Sequence, residues 1–378
     1  MTSTHKLSLL ICCDEYPPKE WGGMSRSLEA IVEGLLLQAC RIDVLSHRRA
    51  DYVTECLLEI DFRRNYRVYW CRYPLCQPED LVRALNVYDY DIVYVNGRGF
   101  AEFAIYLSTN LDKSIVYSSR SDYYEESSYV PGSFSARKAR LQDAIISASD
   151  LILVAGHSEM ARVASRYSLP PQKTRYLPNP LHPIFFHERA ALPIRQERIL
   201  FVGRYITGKG VHHLLNAMPK ILARKPQTRF LFVGGHGEEQ VVRLLQEAQA
   251  NFPLNLEVKD WLALPDLVSE YFQSEIVVIP SLYETFGNVA LEAMACGCTV
   301  VASSVGGLAE LIENRETGLL VPPADSDAIA IAVLDLLENQ AFCKYLGSRA
   351  AKRVRRDFSY SKIAAMFYDI LIKQVGGR

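Results

Sequence analysis

The chain has 378 residues, 49% of them apolar and 22% charged, and its formal net charge is −1. The length suits two domains rather than one core, and the composition is that of an ordinary soluble protein. A charge so close to zero supplies no global field for nucleic acid or for an anionic membrane.

In chain order, short apolar runs alternate with helical patterns. The first run, LSLLICC (7–13), meets Asp14 and Glu15 too soon for a signal peptide. Further candidate strands are IDVLS (42–46), YRVYWCRY (66–73), DIVYVNG (91–97), SIVYSSR (114–120) and LILVAG (151–156), with helices such as 27–38 and 136–149 between them. Near-continuous apolar strands alternating with helices predict a parallel sheet covered on both faces. The rhythm stops at 178–197, where Pro178, Pro180, Pro183 and Pro193 mark an interdomain linker. A second series then follows, RILFVGR (198–204), RFLFVGG (229–235), LEVKDW (256–261), EIVVIPS (275–281) and TVVASSV (299–305). Its helices are expected at 211–223, 238–250, 264–273, 288–296 and 327–338. The reading is α/β, with two facing Rossmann-like doubly wound domains and a cleft between them, where ligands bind beyond the carboxyl ends of strands.

The nine cysteines lack paired metal-ligand spacing and read as buried free thiols of a reducing cytoplasm. No apolar run reaches the ~20 residues of a membrane span. A soluble, cytoplasmic protein is expected. The basic runs ARKARLQD and AKRVRR are ordinary solvated faces on this reading, and no membrane contact is indicated.

Five strand ends carry candidate chemistry. After the first strand, Gly22-Gly23 precedes a helix whose amino end attracts phosphate, although no dinucleotide fingerprint is present and an ordinary loop fits as well. In GRYITGKG (203–210), Arg204 and Lys209 flank a turn into a helix, which suits a diphosphate or, equally, two solvated cations. FVGGHGEEQ (232–240) turns the chain at Gly234-Gly235, and SSVGGLAELIENRETGLLVPP (303–323) turns it at Gly306-Gly307. The fifth, PSLYETFGNVALEAMACG (280–297), places Glu284 in a loop and Glu292 about one turn inside a helix that starts near Asn288. Ser281-x-x-Glu284 also has capping-box spacing, which a helix crossing Gly287 weakens. A carboxylate such as Glu292 on a mostly apolar helix needs a partner, and a ribose diol is one.

Together these residues resemble the retaining, nucleotide-sugar-dependent glycosyltransferases of the E-x7-E group (family 4-like, GT-B architecture), here Glu284 to Glu292. The likeness is strong over about 198–340 and looser over 1–180. It implies an acceptor-side domain at 1–180, completed by a C-terminal helix at 359–378, and a nucleotide-sugar domain at 181–358. It assigns the donor to Gly22, Gly23, Gly203, Arg204, Lys209, Glu284, Phe286, Gly287, Asn288, Val289 and Glu292. Arg204 and Lys209 would hold the diphosphate, Glu292 the ribose, and Glu284 the transferred sugar, with Arg204, Lys209 and Glu284 the catalytic set. Arg120 stands where the family often has a His, and Arg120, Asp122 and Tyr123 (with Tyr124 beside them) are assigned to the acceptor, Asp122 being a candidate partner for Arg120. The resemblance implies no metal and no cofactor beyond a nucleoside diphosphate sugar, UDP-sugar favoured over GDP-sugar, although KDW (259–261) departs from the family beside the base. The expected reaction moves a hexose or amino-hexose to a hydroxyl of an acceptor of unknown class. Competing readings are a nucleotide-sugar epimerase and a non-catalytic sugar-nucleotide-binding or partner protein of the same fold.

Overall fold

The computed structural model describes residues 6–17, 23–38, 40–47, 58–71, 76–120, 122–129, 134–186 and 197–377. The chain forms two compact units. Unit 1 comprises Met1–Ser127, Ser133–Pro180 and Tyr360–Arg378, and unit 2 comprises Leu181–Ser359 with the short piece Ser128–Gly132.

Unit 1 contains β1 (Ser8–Cys13), β2 (Arg41–His47), β3 (Glu59–Phe62), β4 (Arg67–Cys71), β5 (Ile92–Asn96), β6 (Ser114–Ser119), β7 (Leu151–Val154) and β8 (Thr174–Tyr176). They lie in the order β3-β4-β2-β1-β5-β6-β7-β8. Every residue of β1, β5, β6 and β7 is buried, so both faces of the central sheet are covered. Alternate side chains serve the two layers. Leu10, Val93, Ile115 and Ile152 pack with Phe103 and Ile145, whereas Leu9, Ile11, Tyr94 and Val116 pack with Leu28, Ile31 and Phe367.

Phe367 belongs to the last helix, Tyr360–Gly376, which lies against the helix Gly23–Leu36 of the same unit. Gly34 permits this approach, since a Cβ there would come within 2.4 Å of the Ala364 Cβ. The expectation of a purely parallel sheet is corrected at one edge, where β3 pairs antiparallel with β4. β3 is mostly exposed, as only an edge strand tolerates, and a short connection returns it as a hairpin.

Unit 2 contains β9 (Arg198–Val202), β10 (Arg229–Val233), β11 (Leu256–Lys259), β12 (Ile276–Ile279), β13 (Thr299–Ser303) and β14 (Leu319–Val321), all parallel, in the order β11-β10-β9-β12-β13-β14. Ile199, Phe201, Phe230, Phe232 and Val278 pack with Leu214 and Met218 of the helix Val211–Arg224 and with Val333 and Leu337 of the helix Ser326–Glu338. The latter helix is capped by Asp325, whose Oδ1 accepts the amides of Asp327 and Ala328 at 3.0 and 2.9 Å. Such a cap contributes about 1 kcal/mol.

With the β3 arm set aside, both sheets follow the doubly wound order and are Rossmann-like. Strand order reverses between β1 and β5 in unit 1 and between β9 and β12 in unit 2, the places where such sheets bind ligands.

The change of unit falls at Pro180–Leu181, inside the stretch read as a linker, and the cysteine expectation is revised. The described part of the 178–197 stretch is packed, with Pro178, Asn179, Pro180, Leu181 and Phe185 buried and Leu181 bridged to Ser359. Prolines carry no amide donor, so this stretch can be buried without ladder partners for every residue. Seven described cysteines are free and buried, but Cys76 is disulfide-bonded, which sequence spacing does not reveal. Among the described residues no helix is long and apolar enough to cross a membrane.

Candidate functional site

In unit 2, GRYITGKG follows β9 and PSLYETFG follows β12, so the two stretches flank the reversal point. They touch through the backbone, the Leu282 amide donating to the Gly208 carbonyl at 3.0 Å. Gly210 makes this approach possible. Its φ is 66°, and a Cβ there would lie 1.8 Å from the Pro280 carbonyl oxygen. The consequence is an ion pair between Lys209 Nζ and Glu284 Oε2 at 2.6 Å, with side chains 26% and 20% exposed. Ser281 Oγ donates to the same oxygen at 3.4 Å. The capping-box spacing thus makes a loop contact, because the helix begins only at Asn288.

Around this pair the loops are braced. The Gly307 amide donates to the Glu284 carbonyl at 2.9 Å, so one amide of the Gly306-Gly307 turn is spent on the loop. Phe286 is buried with its ring edge-on to Phe358 at 5.9 Å. Gly287 stands at the N-cap of Asn288–Ala295 with φ 104° and no side-chain cap, and Asn288 and Val289 are half-buried. The first amides of a helix have no intrahelical acceptor and favour an anion.

Gly203 donates its amide to the Val233 carbonyl, and Arg204 beside it is exposed. The nearby Glu238 accepts the Thr207 hydroxyl at 2.6 Å and the Thr207 amide at 3.1 Å. Burial pushes this carboxyl up, but those bonds, Gln240 and the Arg204 charge outweigh it and lower its pKa. Glu292 is buried, and the Tyr271 hydroxyl donates to its Oε2 at 2.9 Å. The protein itself therefore supplies a partner for this carboxylate, beside the ribose that the sequence suggested as one.

In unit 1, Gly22 lies outside the described residues, and Gly23 opens the helix Gly23–Leu36. Asp122 and Tyr123, assigned to the acceptor from the sequence, are both engaged within the unit. Asp122 is fully buried, accepts from Gln142 Nε2 and the Tyr124 amide, and pairs with Arg166 at 3.3 Å. Its cation is therefore Arg166, one helix away, and not Arg120. Tyr123 is buried, and its hydroxyl accepts the Ser135 amide at 2.7 Å, anchoring the start of the helix Ala136–Ala148. Tyr124 is tied to Asp143 at 2.8 Å. Arg120 instead bonds Asn96, Asn179 and Tyr94.

Sequence reasoning missed the polar rim at the reversal point of unit 1. Asp14, which follows β1, sits against the Gly97–Gly99 turn, and burial raises its pKa to about 6 against the Gly99 amide and Arg98. His47, at the end of β2, stacks on Phe100 at 4.3 Å, and burial lowers its pKa to about 4. Glu159 is 1% exposed, and burial raises its carboxyl to about 8. The strand-end rule could have found Asp14 and Asn96, which were not singled out; nothing in HSEMARVA distinguishes Glu159 from an ordinary helical glutamate. Among the described residues no group of three or more His, Cys, Asp or Glu is placed to hold a metal ion.

Comparison with known proteins agrees with this arrangement. Residues 21–183 match the family described as "Glycosyltransferase Family 4", and residues 196–339 match "Glycosyl transferases group 1". An uncharacterized glycosyltransferase of Methanocaldococcus jannaschii is 27% identical over 96% of this chain and 98% of its own. A sucrose-phosphate synthase from Thermosynechococcus elongatus superposes with a TM-score of 0.83 at 23% identity, over 99% of this chain and 100% of that one. HepE of Anabaena, solved in complex with UDP and glucose, gives 0.77 at 18% identity over 97% and 100%. With one family spanning most of unit 1 and another most of unit 2, the chain belongs to the group 1 glycosyltransferases.

Proposed function

We propose that this glycosyltransferase transfers a hexose or amino-hexose, with retention, from a nucleoside diphosphate sugar to an acceptor hydroxyl, without a metal ion. The observation that carries the reading is the Lys209–Glu284 pair at the reversal point of unit 2, partly exposed at 2.6 Å. A cation already oriented there costs little to reorganise when a diphosphate arrives. Arg204 is the second cation, and the helix Asn288–Ala295 turns its amino end out of the same loop.

The leaving diphosphate gains charge as the glycosidic bond breaks, and Arg204 and Lys209 offset that charge. Glu284, relieved of Lys209 by the phosphate, accepts hydrogen bonds from hydroxyls of the transferred sugar. A donor phosphate oxygen takes the acceptor proton on the same face, so Glu284 is not needed as a covalent nucleophile. Glu292 holds the ribose through its oxygens alongside Tyr271. UDP is favoured as the nucleotide, in keeping with the UDP complex of HepE.

The test is a thermal-shift screen of UDP- and GDP-sugars, followed by assay of released nucleoside diphosphate with EDTA present. A donor at 100 times its Kd should stabilise the fold by ~2.7 kcal/mol. Turnover that survives EDTA and leaves the anomeric configuration unchanged supports the reading. Inversion, or strict metal dependence, overturns it.

A further inference from the structure

Arg120 follows β6, and its guanidinium is held from three sides. Nε donates to Asn96 Oδ1 at 2.5 Å, Nη2 to the Tyr94 hydroxyl at 3.1 Å, and Nη1 to Asn179 Oδ1. Tyr94 is in turn fixed from the core, its ring edge-on to Phe367 at 4.9 Å. A guanidinium has five N–H donors in a rigid fork, and these anchors engage three of them. The side chain is partly buried, and one N–H on each terminal nitrogen is not engaged by these anchors.

All three acceptors are neutral. Among the described residues no carboxylate comes within ion-pair distance of Arg120, and the acids nearby are otherwise engaged or uncharged. Asp122 pairs with Arg166. Glu159 is buried without a hydrogen-bond partner on either oxygen. Its raised pKa of about 8, caused first by burial and only partly offset by Arg162, leaves it mostly neutral at pH 7. Arg162 adds a second cation whose Nε and Nη2 are buried without partners. A positive charge that is oriented, partly desolvated and outside any ion pair is costly on its own and well matched to an anion. Orienting it beforehand removes much of the entropic cost of binding one.

We propose that Arg120, held by Asn96, Asn179 and Tyr94, receives an anionic oxygen group, carboxylate or phosphate, carried by the acceptor. Naming the acceptor as its carrier rests on the proposed glycosyl transfer, in which Arg204 and Lys209 of unit 2 already serve the donor diphosphate; the anion site itself does not depend on it.

The test compares wild type with Arg120→Gln, Asn179→Asp and the pair Arg204→Ala/Lys209→Ala. Binding of inorganic phosphate and of acetate is measured against chloride at matched ionic strength by thermal shift and calorimetry. Arg120→Gln removes the charge. Asn179→Asp places a carboxylate against the guanidinium, so it should keep or raise stability while closing the site. Both should lose ~10–100-fold in affinity for the anion that wild type prefers, whereas Arg204→Ala/Lys209→Ala should keep that Arg120-dependent component. Glucose 6-phosphate, glucuronate and glucose then separate the sources, since they differ only at carbon 6. Preference for the phosphate or for the carboxylate, lost in Asn179→Asp, identifies the group. Equal anion affinity in wild type and Asn179→Asp, or no anion preference in wild type, overturns the proposal. Absence of sugar transfer from any nucleotide sugar would defeat the catalytic reading while leaving the anion result intact.

Discussion

Replacing Glu159 by Gln should flatten the pH dependence of stability above neutrality. The carboxyl is 1% exposed, neither oxygen has a hydrogen-bond partner, and burial raises its pKa from 4.5 to about 8. A native pKa above the unfolded value means that the native state binds the extra proton. That contribution is fully present below the unfolded pKa and is lost as pH rises through the folded one. Within the window the loss is ~1.4 kcal/mol per pH unit.

Asp14, raised from 3.8 to about 6, acts with the same sign but only in its lower window. His47, lowered from 6.5 to about 4, has the opposite sign and gains stability between those values. Between pH 6.5 and pH 8, Glu159 therefore supplies the largest change of the three. Ionisation of Glu159 alone should cost wild type ~2 kcal/mol over that interval, which corresponds to roughly 4–8 °C in Tm for a unit of this size. Urea denaturation at three pH values, with thermal melts beside it, measures the slope. Glu159→Gln keeps the shape and cannot ionise, so it should lack this loss and be the more stable of the two at pH 8 relative to pH 6.5. An unchanged slope in the variant would refute the assignment of a buried, neutral Glu159.

Arg204→Ala and Lys209→Ala should each depress kcat by ~10²-fold with a smaller change in donor Kd; a raised KM with intact kcat would reduce them to ground-state anchors. Glu292→Ala removes the acceptor of the buried Tyr271 hydroxyl and should cost ~1–3 kcal/mol of stability. Glu292→Gln keeps an acceptor for Tyr271, so its Tm should hold while donor affinity falls about tenfold, and normal donor binding would remove the ribose role. Gly210→Ala combines φ 66° with a clash at the Pro280 carbonyl and should lower stability by ~1–3 kcal/mol; a full Tm with weakened donor binding would show that the loop shifted instead.

Much of the architecture was legible because two periodicities suffice for it. Runs such as SLLICC, SIVYSS and RILFV are buried at every residue, and only a strand covered on both faces needs that. The edge strand EIDF escaped notice for the converse reason: it is mostly exposed and carries no burial signal. Among candidate site residues, Arg204, Lys209, Glu284 and Glu292 stood out because charges beside glycine turns or on an apolar helix demand an explanation.

Partnership was another matter. Lys209 and Glu284 are 75 residues apart, and they meet because strand order reverses between β9 and β12. Asp122 looked like the counterion of Arg120 from two residues away, yet the helix His157–Arg166 brings it Arg166 instead. Arg120 draws its partners from positions 24, 26 and 59 residues distant, all neutral. Residue type and local spacing determine which groups carry charge and which segments pair as strands. Which charge meets an opposite charge, and which is held by neutral groups, depends on desolvation and on contacts made through the crossover connections, and the tertiary structure alone decides it.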